Sequence, residues 1–252
     1  MKKLTFLLFI SLIGTSCVKD RLITLQEKSF ESTTFGPCVG QTCPNFNIHF
    51  LEASSSTENA QLFNTEISNE IVQLLLSFQE DFSPASTTIE EAILVFIDDY
   101  RKYQRDLGSL SFSYEADTYM EIIYQSNDLI SIDLNFYLFT GGAHGYGGTR
   151  FLNFDRSTGK QFSMEELFTD IKPLEEIAEK MIREQYQIPA DQNINATGFW
   201  FENDQFHLPK NIGFTENEIL LVYNQYEIAS YAEGSISLSV TKSDLMPYIK
   251  FP

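Results

Sequence analysis

From Leu110 onward the apolar residues of this chain recur at every second position, and that period decides most of what it can fold into. Residues 109–117, 118–125 and 129–139 read as three successive strands. In the last, Ile130, Ile132, Leu134, Phe136 and Leu138 share one face, while Ser131, Asp133, Asn135 and Tyr137 share the other. Such alternation makes a sheet with one buried side, and a buried side needs a second layer. The sequence supplies it upstream, where the period is helical. Phe63, Ile67, Ile71, Leu74, Leu75 and Phe78 form one stripe, and Ile89, Ala92, Ile93, Phe96, Ile97, Tyr100 and Tyr103 form another. Ser83 with Pro84 separates them, and Thr87 with Glu90 is spaced as a capping box for the second helix.

The remaining segments follow the same two periods. Residues 45–51 alternate, with Phe46, Ile48 and Phe50 opposite Asn47 and His49; residues 149–155 give a further strand. Ser163 and Glu166 form a second capping box, Pro173 suits the first turn of a helix, and Leu174, Ile177, Ala178, Met181, Ile182 and Tyr186 give that helix an apolar side. After a polar stretch at 187–198, residues 199–208, 217–228 and 234–245 alternate again. Helices come in blocks and do not alternate regularly with strands. The expected class is therefore α+β: mainly antiparallel sheet with helices packed on one face. The break at 151–159 divides it into two candidate subdomains, 45–155 and 156–252.

The N-terminus carries an export signal. Lys2 and Lys3 precede an uncharged apolar run at 4–13, then Gly14, Thr15, Ser16 and Cys17. The run is too short for a transmembrane helix, which needs roughly 20 residues, and residues 1–16 read as a signal peptide. A cysteine directly after small residues resembles the acceptor of a bacterial lipobox, of the looser kind found in Bacteroidetes, since Gly14 stands where Leu is usual. Cys17 is thus the expected lipidation site. Several acyl chains, at about 0.8 kcal/mol per buried CH₂, would hold the chain on a membrane. The expected location is the cell envelope, with the protein lipid-anchored in the outer membrane. Residues 17–44 read as a polar tether, although residues 21–31 alternate imperfectly and could join the fold as a strand.

Two cysteines then remain, Cys38 and Cys43. In an exported protein a close, even pair is expected to form a disulfide. The competing reading, a metal site, needs further ligands nearby, and the sequence offers none there.

Losing residues 1–16 removes two lysines and no acid, so the net charge moves from −18 to −20. That surface repels phosphate backbones, which excludes nucleic acid as a partner, and it favours a cationic one. Solubility alone is the competing explanation of the acidity.

One ordered set of residues carries a family resemblance. Residues 137–145 (YLFTGGAHG) are followed by Leu152-Asn153-Phe154-Asp155, by Thr158-Gly159, and near the C-terminus by residues 223–229 (YNQYEIA), Tyr231-Ala232 and Gly234. This set resembles the extracellular part of RsiV-type anti-sigma factors, a pair of domains of unknown function numbered 4163 and 3298. The first of them also precedes the catalytic domain of PdaC-type peptidoglycan deacetylases. The similarity runs from about Asn45 to Tyr248. It implies a module outside the cytoplasm that recognises a lysozyme-like protein or wall peptidoglycan. It does not imply signalling or deacetylation, because the segments responsible for those are missing.

A search for chemistry finds little. His144 sits among glycines 141, 142, 145, 147 and 148, where it could act as acid, base or ligand. The competing reading, and the expected one, is a tight connection with His144 satisfied by the backbone. His49, His144 and His207 are far apart, so no metal or other cofactor is expected. No nucleophile elbow, P-loop or dinucleotide fingerprint is present. The chain is therefore expected not to be an enzyme, with a glycan-modifying enzyme or a structural lipoprotein as alternatives. The candidate binding residues are Thr140, Gly141, Gly142, His144 and Tyr146 in the glycine loop, Trp200 in the densest aromatic run, and Tyr226 in the YNQYEIA segment. A run such as Phe199-Trp200-Phe201 is more often core than surface.

Overall fold

The computed structural model describes residues 22–39, 42–78, 87–107 and 112–251. The signal segment, Cys17 and the Ser83–Pro84 break lie outside them. Two sheets organise the chain. The first has five strands in the order β1 (Leu25–Glu31), β2 (Asn45–Ala53), β3 (Glu115–Gln125), β4 (Leu129–Phe139) and β5 (Tyr146–Asp155). All its neighbours are antiparallel except β2 and β3, which run parallel because α1 (Glu58–Leu75) and α2 (Ile89–Leu107) cross between them. The second sheet is a meander of β6 (Asn211–Phe214), β7 (Glu218–Tyr223) and β8 (Ile236–Thr241). The short α3 (Met164–Leu167), then α4 (Lys172–Gln185), precede it, and α5 (Lys242–Leu245) follows it. The class is α+β, mainly antiparallel, as the periods required. Among the described residues no helix is long and apolar enough to cross a membrane.

Each sheet has its own core. Phe63, Ile67 and Ile71 of α1 and Ile93, Phe96 and Ile97 of α2 are buried against Ile48 of β2, Met120 of β3 and Ile132 and Leu134 of β4. Leu174, Ala178 and Ile182 of α4 are buried with Leu221 of β7 and Leu238 and Val240 of β8. Leu129, at the start of β4, belongs to this second core and joins the two. The stretch read as a tether becomes the outer strand β1 from Leu25, and Phe30 and Phe35 pack on the first core. Cys38 and Cys43 are joined by a disulfide with Cα atoms 5.5 Å apart. Arg101 of α2 donates from Nε to the carbonyl of Thr42 and from Nη2 to that of Pro37, fixing the closed loop to the helix.

Three sequence expectations need correction. The capping box of α2 lies one residue later than expected: the Thr88 N–H donates to Glu91 Oε2 at 2.8 Å, and the Glu91 N–H donates to Thr88 Oγ1 at 3.2 Å. Of residues 109–117, those from 112 onward are described, and they form no separate strand: Glu115–Asp117 open β3, because β4 is long enough to pair with Glu115 through Gln125 as one strand. Residues 199–208 are not a strand either. Asn203 (φ 53°) and Asp204 (φ 58°) are left-handed in succession, which an extended chain cannot accommodate. The strand of that region is β6, four residues after Pro209 that include a glycine and are too few to show a period.

The second sheet lies across one end of the face of the first that the helices leave open. There the Phe214 N–H of β6 donates to Ser131 Oγ at 3.0 Å, and Asn153 Nδ2 donates to the carbonyl of Ile212 at 2.7 Å. A Cβ on Gly213 would come 2.6 Å from the Phe151 ring, so only glycine permits this approach. The ammonium of Lys242, a buried residue, sits 4.1 Å above the Tyr124 ring of the first unit.

Candidate functional site

The glycine loop connects β4 to β5. Gly141 (φ 105°) and Gly142 (φ 92°) hold backbone angles that favour glycine, and Gly141 packs close against the Phe112 ring. Gly145 is fixed differently: a Cβ there would lie 2.4 Å from the Tyr137 ring. The loop therefore turns tightly enough to carry His144 outward. His144 Nδ1 is 2.9 Å from the carbonyl of Gly145, the backbone partner expected for it.

The ring of His144 meets the C-terminal motif. It stacks on Tyr231 with centroids 4.1 Å apart and lies 6.4 Å from the ring of Tyr226, whose Oη is 3.4 Å from His144 Nε2. Tyr226 and Tyr231 are 5.5 Å apart. Next to this cluster, Trp200 Nε1 donates to the carbonyl of Glu227 at 3.3 Å, and the Trp200 N–H donates to that of Ile228 at 3.0 Å. Trp200 is 47% exposed, whereas Phe199 and Phe201 are buried on either side of it. The run of three aromatics thus splits, with the two phenylalanines in the core and the indole in solvent. His144 and Tyr226, from distant parts of the sequence, meet in one aromatic cap, and the Glu227 and Ile228 carbonyls hold Trp200 beside it. Tyr231 was not singled out as a binding residue. It lies in the same motif, five residues after Tyr226, but nothing in local spacing says that its ring meets His144.

Below the cap a cleft of about 950 Å³ opens between the two units. Tyr146 and Tyr226 line it, 41% and 51% exposed, and Phe136 and Phe151 contribute its apolar part. Arg150 enters from β5, held by Glu70 of α1 at 2.7 Å, with its guanidinium 5.6 Å from the centre of the Phe136 ring. Lys210, His207 and Glu227 enter from the second unit. Burial pushes the Glu227 carboxyl above the usual range, opposed by hydrogen bonds from backbone N–H groups and by nearby His207 and Lys210. Burial likewise raises the Tyr146 hydroxyl; Glu227 adds to this and Arg150 works against it. Thr140, Gly141 and Gly142 are not among the residues that line the cleft. Glu70, Arg150, Lys210 and Glu227 escaped the sequence reading because they are ordinary charged residues in a chain full of acids.

The three histidines stay apart: His49 stacks on Tyr119 of the open sheet face, His144 is in the cap and His207 is at the cleft. Among the described residues no group of three or more His, Cys, Asp or Glu is placed to hold a metal ion.

Comparison with known proteins fits this two-part layout. Residues 42–146 match the family described as deacetylase PdaC, and residues 165–243 match DUF3298, a protein family of unknown function. No curated protein matches the chain. Among solved structures, a DUF3298 family member from Bacteroides fragilis NCTC 9343 superposes with a TM-score of 0.65 at 20% identity, covering 91% of this chain and 95% of that one. A DUF3298 family protein from Pseudomonas aeruginosa PAO1 gives 0.60 at 23% identity, with the same coverage of 91% and 95%. At these identities the likeness establishes a shared fold.

Proposed function

We propose that this protein is a non-enzymatic binding module of the bacterial cell envelope, anchored in the outer membrane by acyl chains on Cys17, whose aromatic cap recognises a cationic, lysozyme-type protein. One observation carries the reading: His144, Tyr226, Tyr231 and Trp200 cluster at the surface instead of in either core. Clustered aromatic area left in solvent, and positioned by loops from both units, is what a protein-binding hot spot requires. The surroundings suit a cationic partner. Glu202, Asp204 and Glu233, on the loops flanking Trp200 and Tyr231, are exposed, and the whole chain carries −18. The RsiV-like motifs supply the same two loops: the TGGAHG segment brings His144, and the YNQYEIA segment with the Tyr231 that follows brings the tyrosines. A binding role also fits His144, whose Nδ1 faces the Gly145 carbonyl and whose Nε2 faces Tyr226.

Pull-down with a lysozyme tests the reading. A complex retained at low salt, weaker at moderate salt, and lost in Trp200→Ala and Tyr231→Ala is expected. No complex at micromolar concentration rejects the lysozyme-type partner. Mass spectrometry of protein from its native host tests the anchor, since an unmodified Cys17 thiol ends it. Turnover of wall glycan that disappears with His144→Ala would favour an enzyme instead.

A further inference from the structure

We infer that the cleft between the two units is an oligosaccharide site, taking a short run of neutral or N-acylated hexose rings against Tyr146 and Tyr226. The inference goes beyond the protein-partner reading and concerns the cleft between β5 and the second unit, which adjoins the cap and shares Tyr226 with it. Charge separates them first. Arg150 and Lys210 offset Glu70 and Glu227, so these four side chains balance inside a molecule of net −18. A balanced cleft gives a polycation no reason to enter and a neutral, polyhydroxylated ligand no penalty for doing so.

The shape and chemistry then select the ligand. A hexose ring has flat C–H faces and a rim of hydroxyls. It needs aromatic surface for the faces and planar polar groups for the rim. Tyr146 and Tyr226 supply exposed rings, and the guanidinium of Arg150 with the carboxylates of Glu70 and Glu227 supplies planar polar groups. About 950 Å³ is at the upper end of ordinary ligand pockets, so more than one ring fits.

The groups are also held before any ligand arrives. Arg150 is tied to Glu70 at 2.7 Å, and Glu227 Oε2 accepts the Asn224 N–H at 2.9 Å. Tyr226 has φ 67°, a strained conformation for a non-glycine residue of the kind that clusters at ligand clamps. Polar groups already oriented lose little entropy on binding.

Isothermal titration of the mature chain, residues 17–252 with Cys17→Ser, tests the inference with two probes: β-1,4-linked N-acetylglucosamine tetramer and cellotetraose. Saturable binding of at least one at millimolar concentration or below is expected. Tyr146→Ala should weaken it about tenfold, the loss of one stacked ring, while Tyr146→Phe keeps it. Lys210→Gln should weaken it severalfold. Tyr119→Ala, exposed on the open face of the first sheet, should leave it unchanged. Thermal melts of each variant establish that it is folded, and Lys210→Gln carries the test if the Tyr146→Ala variant is not: binding that it leaves intact overturns the inference. Failure of both sugars to saturate overturns the inference, as does binding that Tyr146→Ala leaves intact or that Tyr119→Ala weakens equally. Lysozyme pull-down with Tyr146→Ala keeps the two readings apart: retention of lysozyme with loss of sugar places the sugar in the cleft, whatever binds the cap.

Discussion

The side-chain amide of Asn224 meets both backbone polar groups of Thr149: its Oδ1 accepts the Thr149 N–H at 3.0 Å, and its Nδ2 donates to the Thr149 carbonyl at 2.8 Å. Thr149 lies in β5, at the edge of the first sheet, where a sixth strand would otherwise dock. Asn211 does related work two residues along, accepting the Phe151 N–H at 2.9 Å and donating to the Thr149 carbonyl. Amides from the second unit thus stand in for a strand, closing an edge that would be open to pairing and setting how the units meet beside the cleft. The same device joins α1 to β2, where Asn64 bonds the N–H and carbonyl of Ala53 at 2.7 and 3.2 Å.

Asn224→Ala should therefore cost about 1–3 kcal/mol, the range for stranding a partly buried polar group. Asn224→Asp keeps an acceptor for the Thr149 N–H but turns a second oxygen and a negative charge toward the Thr149 carbonyl, so its cost should match or exceed that of Ala. Urea denaturation checks both; an Ala variant as stable as wild type would show that the seam does not depend on this amide.

Gly148 is coupled to the same amide. A Cβ there would lie 2.6 Å from Asn224 Oδ1 and 3.1 Å from the Phe136 ring. Gly148→Ala should destabilise by about 1–3 kcal/mol, and by less when Asn224 is already alanine. A double-mutant cycle reads the coupling, expected at about 0.5 kcal/mol or more for residues in contact. Strict additivity would place the strain at Phe136 instead.

Asp155 should contribute acid-sensitive stability. Burial raises its carboxyl, but Oδ1 accepts from the N–H and hydroxyl of Ser157, both at 2.7 Å, and from the Thr158 N–H at 3.0 Å, and the net shift is downward. A depressed folded-state pKa means the contribution is complete above the unfolded value of about 3.9 and is lost as pH falls through the folded one. Asp155→Asn should lower stability at neutral pH, and its difference from wild type should shrink below about pH 4. A constant difference across that range in a pH series of melts would contradict the assignment.

The disulfide closes a short loop. By chain entropy, reducing Cys38–Cys43 should cost about 2 kcal/mol, read as a lower Tm in reductant. The paired Cys38→Ser, Cys43→Ser variant should melt at the reduced temperature. A larger drop would mean that Arg101 loses its carbonyl partners along with the bond.

Much of the fold was already written in the periods. The stripe from Phe63 to Leu74 fixed α1, alternation fixed β4 and β8, and Ser163 with Glu166 fixed the start of α3, where both capping bonds are present. These features survive because each depends on near neighbours in the chain. β6 was not legible: its four residues are held by Ser131 Oγ and the Asn153 amide, from strands dozens of positions away. The strand expected at 199–208 was misread because two left-handed residues leave no mark on an apolar pattern.

The site divides along the same line. The sequence by itself marked His144, Tyr146, Trp200 and Tyr226, because a glycine run, aromatic density and a motif such as YNQYEIA are local properties. That His144 would stack on Tyr231, that Trp200 would face solvent while Phe199 and Phe201 do not, and that Arg150 and Glu70 would meet at 2.7 Å were decided only by the tertiary structure. The physical reason is range: backbone propensity and amphipathic period act within a turn or a strand, whereas a ring contact or an ion pair exists only after elements far apart in the chain have been packed together.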